Sequence, residues 1–162
     1  MGALIYSAPA PLEDSHRLDG FVCDEASLES WLKRRARKNH SSGASRVFVV
    51  TTADGAVAGY YALSAGSVVR AAAPGRVSRN MPEPIPVAVL GRLAVHRDHA
   101  GRGLGAGLLK DAVLRTRRLA QDLGIRALLC HAVDERTRAF YLHHGLLVSP
   151  IEPLTLMLPL GG

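Results

Sequence analysis

The stretch "RDHAGRGLGAGLLKDA", residues 97–112, alternates Gly101, Gly103, Gly105 and Gly107 with other residues and then reads as a helix. Glycines this dense let a backbone come close to a ligand. Unpartnered N–H groups and the positive end of a helix make such a junction an anion site. The candidate ligands are a nucleotide phosphate, a dinucleotide and a coenzyme pyrophosphate; a tight turn with no ligand is the alternative. A P-loop requires Gly-x-x-x-x-Gly-Lys-Ser/Thr. Here the lysine, Lys110, lies inside the helix and is followed by Asp111, which excludes it. Gly101, Gly103 and Ala106 match a dinucleotide fingerprint, with Asp122 further on. That fingerprint needs its acid at the end of the next strand, whereas Asp122 precedes that strand. A pyrophosphate held by main-chain donors needs neither lysine nor acid, and it fits a strand on one side and a helix on the other.

A second chemical candidate is Tyr141, in "RAFYLHHGL" (Arg138–Leu146). A phenol, with a pKa of about 10, can hand a proton to a leaving group. Read alone, Phe140 and Tyr141 are equally an aromatic pair of the core. The histidines His96, His99, His143 and His144 have no cysteine or carboxylate partners at metal-site spacing, so no metal is expected. His131, in an apolar segment, reads as a core or near-site residue. Cys23 and Cys130 form no disulfide framework and read as buried thiols.

These residues need a frame. The chain has 162 residues, 48% of them apolar, which suits one domain with one core. No apolar run spans a bilayer. The N-terminal "MGALIYSAPAPLEDS" has no basic n-region, so no signal peptide is expected, and the two buried thiols fit a reducing cytoplasm as the expected location. A short strand is predicted at Ala3–Ser7. Asp24 is placed as the N-cap of a helix carrying Leu28, Trp31, Leu32 and Ala36 at helical spacing. "RVFVVTT" (Arg46–Thr52) and "VAGYYALS" (Val57–Ser64) form a hairpin, with Asp54 and Gly55 supplying positive φ angles. Residues 71–86 read as a long loop. Val87–Val95 is a strand whose Gly91 suggests a bulge or a close backbone approach. The glycine-rich stretch opens a helix running to Leu123, with Leu104, Leu108, Ala112, Leu119 and Leu123 on one side. Ala127–Val133 is a strand, Asp134 caps a helix that ends at Gly145, and "LTLML" is a last strand. The order implies an α/β fold with one mixed central β-sheet flanked by helices.

The formal charge is +6, and it is clustered. Lys33, Arg34, Arg35, Arg37 and Lys38 share one helix, and Arg115, Arg117 and Arg118 share another. Such runs suit a polyanion or form a solvated helix face. No aromatic platform for stacking free bases is evident, so a nucleic acid bound here would be met through its backbone in a folded form.

A strand ending in "LAV", the glycine loop, a helix, and "RAFYLHHGL" about 40 residues on together resemble the GNAT (GCN5-related N-acetyltransferase) superfamily. Longer segments, "LDGFVCDEASLESWLKRRARKNHSSGASRVFVV", "GYYALSAGSV" and "RNMPEPIPVAVLGRLAV", resemble its subgroup of type II toxin–antitoxin toxins. The resemblance covers most of the chain, as a single domain over residues 1–162. It implies the GNAT fold and acetyl-CoA as co-substrate, with no metal. The implied coenzyme contacts are Leu93, Ala94, Val95, Ala100, Gly101, Arg102, Gly103, Leu104, Gly105, Ala106, Asp134 and Phe140. Tyr141 is implied as the catalytic residue. Ala100 departs from the family loop, where Gln or Arg is usual. A second register, Arg102-x-x-Gly105-x-Gly107, would start the helix two residues later. The subgroup implies acetylation of the α-amino group of aminoacyl-tRNA, which blocks translation, together with a homodimer, a ribbon-helix-helix antitoxin and no membrane. Implied RNA contacts are Lys33, Arg34, Arg35, Lys38, Arg79 and Arg92. A GNAT enzyme acting on a small-molecule or protein amine is the alternative, followed by a non-catalytic binding module.

Overall fold

The computed structural model describes residues 5–161. The chain forms two compact units, one of residues up to Leu63 with Arg92–Ala112, the other of Ser64–Gly91 with the residues from Val113 on. Among the described residues, five α-helices and seven strands make up a mixed α/β fold. The strand order in its seven-stranded sheet is β1-β2-β3-β4-β5-β7-β6.

The first unit holds β1 (Ala10–Pro11), α1 (Ala26–Arg34), α2 (Ala36–Ser42), β2 (Arg46–Thr51) and most of β3 (Val57–Val68). It also holds the end of β4 (Ile85–Val95) and the start of α4 (Leu104–Leu119). The β-branched run in β2 is buried from Val47 to Thr51. It pairs antiparallel with β1 (Ala10↔Val49) and with β3 (Val47↔Ala62), with a register shift between Val50 and Thr51. In the hairpin turn Gly55 alone takes a positive φ, 86°. Asp54 does not, contrary to expectation; its carboxylate accepts instead from Thr52 Oγ1 and from Arg17. The strand expected at Ala3–Ser7 is not formed in the described part of that range: Tyr6 makes only an isolated bridge to Thr52, and the first strand is β1 at Ala10–Pro11; Ala3 and Leu4 lie outside the described residues.

The single basic helix expected from periodicity is two helices that break at Arg35, whose φ is −122°. No glycine or proline marks the break, so spacing alone did not predict it. Leu32 before the break and Ala36 after it are both fully buried. Asp24 is not the cap. Glu25 holds that position, Asp24 pairs with Arg97 at 3.3 Å, and Glu29 reaches back to accept from the Cys23 N–H at 3.1 Å. The core joins Leu12, Phe21, Leu32, Val47, Val49, Tyr60 and Ala94, with Leu28 and Trp31 packed at its edge.

The second unit holds α3 (Gly75–Ser78), the start of β4, β5 (Ala127–His131), α5 (Glu135–His143), β6 (Leu147–Val148) and β7 (Thr155–Pro159). β4 and β5 run parallel from Val87↔Ala127 to Leu90↔Cys130. β5–β7 and β6–β7 are antiparallel. Ile85, Val87, Ala127, Leu129 and Met157 close the core with Val77 of α3. Residues 71–86 are therefore not a plain loop. They hold a 3-10 turn at Arg70–Ala72, helix α3 and the first residues of β4. The Arg126 guanidinium fastens α3 by donating to the carbonyls of Val77 (3.0 Å) and Arg76 (3.1 Å), a contact about 50 residues away in sequence that local propensity does not register.

Helix α4 ends at Leu119, not Leu123, and both of those leucines are more than half exposed. Thr116 is the residue buried at that turn. β5 ends at His131, short of the expected Val133, although the Ala132 N–H still donates to the Leu154 carbonyl at 2.8 Å in register with β7. No helix among the described residues is long and apolar enough to cross a membrane.

Candidate active site

The glycine loop belongs to the first unit. β4 is pinned at its end: the His96 N–H donates to the Ala58 carbonyl and the Arg97 N–H to the Val22 carbonyl, both at 2.8 Å. His96 caps the 3-10 turn Arg97–His99, its Nδ1 accepting from the Asp98 N–H at 3.0 Å. Because Nδ1 accepts, Nε2 carries the proton and donates to the Gly20 carbonyl, also at 3.0 Å. His99 is joined to the Tyr6 hydroxyl through Nδ1 at 2.7 Å. Burial, then the neighbouring His96 and Arg102, hold the His99 pKa below its ordinary value.

Beyond this turn Gly101 and Gly103 take φ values of 76° and 81°. A Cβ on either would meet nothing within 4 Å, so conformation, not crowding, demands glycine there. The helix starts at Leu104, and Gly107 N–H to Gly103 carbonyl (3.0 Å) is its first helical bond. That start agrees with the first loop register and not with the one beginning at Arg102. The N–H groups of Leu104, Gly105 and Ala106 consequently have no intrahelical acceptor. They form a donor set at the positive end of a sixteen-residue helix, suited to a pyrophosphate. Ala100 and Arg102 are exposed, and Leu93 and Val95 are half-buried on either side of buried Ala94. Gly91 shows no close approach, since a Cβ there would meet nothing within 4 Å.

Tyr141 belongs to the second unit, on α5. Asp134 caps that helix, its Oδ1 accepting from the Thr137 N–H and hydroxyl at 2.8 Å each. These bonds hold the Asp134 carboxyl below its usual range. Tyr141 is only 3% exposed, and its ring lies 5.4 Å from Phe140 at 62°. Burial, then the nearby Cys130, push its phenol well above the ordinary value. Its hydroxyl has no hydrogen-bond partner among the described residues. The residue is thus both a packed aromatic and an uncommitted, fully protonated acid. Both cysteines are buried free thiols, as expected. His131 is not a core residue: it is exposed, with Nδ1 3.1 Å from Thr155 Oγ1. Among the described residues no three His, Cys, Asp or Glu side chains gather into a metal-binding group.

The basic helix face is uneven. Lys33 pairs with Glu29 at 3.4 Å. Arg37 is committed to the carbonyls of Glu13 and His16, at 3.0 and 2.5 Å. Arg34, Arg35 and Lys38 are exposed. A depression of about 500 Å³ beside them is lined by His16, Arg17, Leu18, Asp19, Lys33 and Arg37; sequence spacing did not reveal it, because its walls come from a loop and from both α1 and α2. The Arg92 guanidinium lies over Trp31. Arg79, in the second unit, is exposed just past α3.

The acetyltransferase (GNAT) family model matches residues 12–146, and the chain belongs to that family. Within it, the chain falls in the toxin subgroup. It is 51% identical over 153 residues to a "tRNA-acetylating toxin" of Mycobacterium tuberculosis, covering 94% of this chain and 92% of the relative. It is 30% identical to the "Probable toxin TacT" of Sinorhizobium fredii, covering 93% and 90%. Among solved structures, AtaT complexed with acetyl-methionyl-tRNAfMet superposes with a TM-score of 0.85 at 27% identity, covering 97% of this chain and 95% of that one. A tyrosine-to-phenylalanine mutant of KacT superposes with a TM-score of 0.88 at 25% identity, over 97% and 95%. AtaTR bound with acetyl-CoA matches with a TM-score of 0.79 at 26% identity, over 97% and 93%.

Proposed function

We propose that this chain, as one N-acetyltransferase domain, is an acetyl-CoA-dependent toxin that acetylates the α-amino group of aminoacyl-tRNA and so blocks translation. The observation that carries the coenzyme reading is the donor set at Leu104–Ala106, opened by two left-handed glycines. The residues suit acetyl-CoA: main-chain donors without an intrahelical acceptor for the pyrophosphate, and a β4 end whose main chain can pair with the pantetheine amides. Ala100, Arg102 and the Leu93–Val95 segment flank those donors. Asp134 and Phe140 act by building and packing the helix that carries Tyr141. For the acceptor, the relative named for tRNA acetylation and the complex with an acetylated methionyl-tRNA support charged tRNA.

The reaction balances with these residues. The acceptor's α-amine, with a pKa of about 7.7–8.0, is appreciably neutral at pH 7. It attacks the thioester carbon; the C–N bond forms and the C–S bond breaks. Tyr141 passes its proton to the departing sulfur. The tyrosinate then recovers a proton from the acceptor's ammonium, for which its raised basicity suits it. Backbone N–H groups at the end of β4 polarise the thioester carbonyl. Arg34, Arg35 and Lys38, with Lys33, Arg79 and Arg92, would contact the RNA. AtaT has been solved with the antitoxin AtaR, and a KacTA–DNA complex is known. These support an antitoxin as partner; a ribbon-helix-helix fold for it, a homodimer and a cytoplasmic location complete the proposed reading.

The test is incubation with charged tRNA and labelled acetyl-CoA. The expected product is an N-acetylated aminoacyl group, with growth arrest on expression and relief by Tyr141→Phe. Strong labelling of a polyamine or a lysine peptide with charged tRNA inert would overturn it. In the same assay Ala100→Arg measures, through acetyl-CoA affinity, how far the amides suffice without the usual side chain.

A further inference from the structure

Trp31 is the single tryptophan of the chain, and its surroundings are unusually ordered for a half-buried residue. Its ring lies almost parallel to that of Tyr60, 10° apart at 5.9 Å. Tyr60 is fully buried, and its hydroxyl donates to the Leu28 carbonyl of α1 at 2.6 Å. The indole is thereby fixed between α1 and β3. On it rests Arg92, its guanidinium carbon 4.6 Å from the ring centroid. Most other cations of this unit that hold a fixed partner meet a carboxylate: Arg17 with Asp54, Lys33 with Glu29, Arg97 with Asp24. Among the described residues no carboxylate pairs with Arg92. An aromatic face holds its plane by cation–π attraction without neutralising its charge.

Such a guanidinium keeps a flat outer surface and free donors. A phosphate contact needs only charge, and a lysine would serve. Fixing the plane matters for a planar ligand, and single-stranded RNA ends are recognised by stacking bases on aromatic or Arg planes. The position fits. Arg92 shares the face of β4 with Ala94 and lies three residues before Val95, roughly 10 Å along the strand from where the coenzyme loop departs.

We infer that Trp31 is a positioning residue that presents Arg92 as a stacking platform for an unpaired base at the 3′ end of the acceptor RNA. This deepens the proposed function and rests on its reading of the acceptor. The aminoacyl ester sits on the terminal ribose, so a base held there registers the reactive amine.

Arg92→Lys, which keeps the charge and loses the plane, separates the two modes. The expected result is a rise of about tenfold in KM for charged tRNA, the scale of one lost stacking contact. The KM for acetyl-CoA stays as in wild type, and the salt dependence of RNA binding keeps its slope because the charge remains. Trp31→Leu should behave as Arg92→Lys, and Trp31→Phe should recover most of the loss. Trp31 fluorescence gives an independent readout. Titration with uncharged tRNA should change its emission, and the same tRNA trimmed of its unpaired 3′ nucleotides should not. A KM for Arg92→Lys within twofold of wild type overturns the inference, as does an equal fluorescence response to trimmed tRNA. If the wild type acetylates no charged tRNA, the proposed function fails by itself, and the fluorescence comparison alone decides this inference.

Discussion

Gly59 of β3 and Leu108 of α4 meet without room for a methyl group: a Cβ on Gly59 would lie 2.9 Å from Leu108 Cδ1 and 3.3 Å from the Ala94 carbonyl oxygen. The helix whose N-terminus forms the proposed coenzyme site is seated directly on the strand backbone there. Gly59→Ala is expected to cost about 1–3 kcal/mol, as overpacking does, and to lower Tm by roughly 2–4 °C per kcal/mol. Gly91→Ala, with open space around its Cβ, should melt within about 0.5–1 kcal/mol of wild type, the usual range for a strand glycine. Thermal melts of the two variants check the contrast. Equal melts would mean that Leu108 yields freely.

Tyr141→Phe removes one oxygen from a packed ring. Fold and acetyl-CoA affinity should hold, while kcat falls by about 10²–10⁴, the usual scale for a positioned acid. Calorimetric titration with acetyl-CoA and a turnover assay on the same preparation separate binding from chemistry. A turnover near wild type would remove Tyr141 from the mechanism.

The pH profile follows from the raised Tyr141 phenol. A raised phenol pKa keeps the acid protonated, so no loss of activity is expected as pH climbs toward the ordinary tyrosine value of about 10. The rate should instead rise through the acceptor amine's pKa of about 7.7–8.0 and then level off. A descending limb between pH 8 and about 9.5, with the protein still folded, would contradict the assignment.

Gly103→Ala forces an L side chain into a φ of 81°. The strain falls on an exposed loop and turns the N–H groups of Leu104–Ala106 away from a common point. A rise of roughly tenfold in the KM for acetyl-CoA is expected, alongside a small change in Tm. An unchanged KM would mean that the pyrophosphate is held elsewhere.

The cations divide by what already holds them. Lys38→Ala and Arg34→Ala should each weaken RNA binding and reduce its salt slope by about one. Lys33→Ala should do less, since Glu29 already pairs with that ammonium. Arg37→Ala should act on stability, because it frees the Glu13 and His16 carbonyls. Binding curves at several salt concentrations, read beside melts, distinguish the two kinds. A salt slope identical across all four variants would refute the RNA face.

Much of the frame is readable from short-range pattern. The apolar run of β2, the Asp134 cap and the loop-to-helix junction at Leu104 depend on residues within a few positions of each other, and each is found where the local sequence predicts it. The misplaced features depend on distant partners. Asp24 looked like a cap but is drawn to Arg97. Residues 71–86 looked irregular until Arg126 supplied the contacts that fasten α3. Leu119 and Leu123 have the right spacing for the core, yet the helix ends before it can bury them.

The same division holds for function. The sequence by itself determined the family and pointed to the candidate coenzyme loop and the candidate tyrosine, because these are encoded by residue types at fixed local spacing. Only the tertiary structure decided which cations remain exposed, that burial keeps the Tyr141 phenol protonated, and that Trp31 lies under Arg92. Those properties arise from desolvation and from contacts between residues tens of positions apart, and no local pattern carries them.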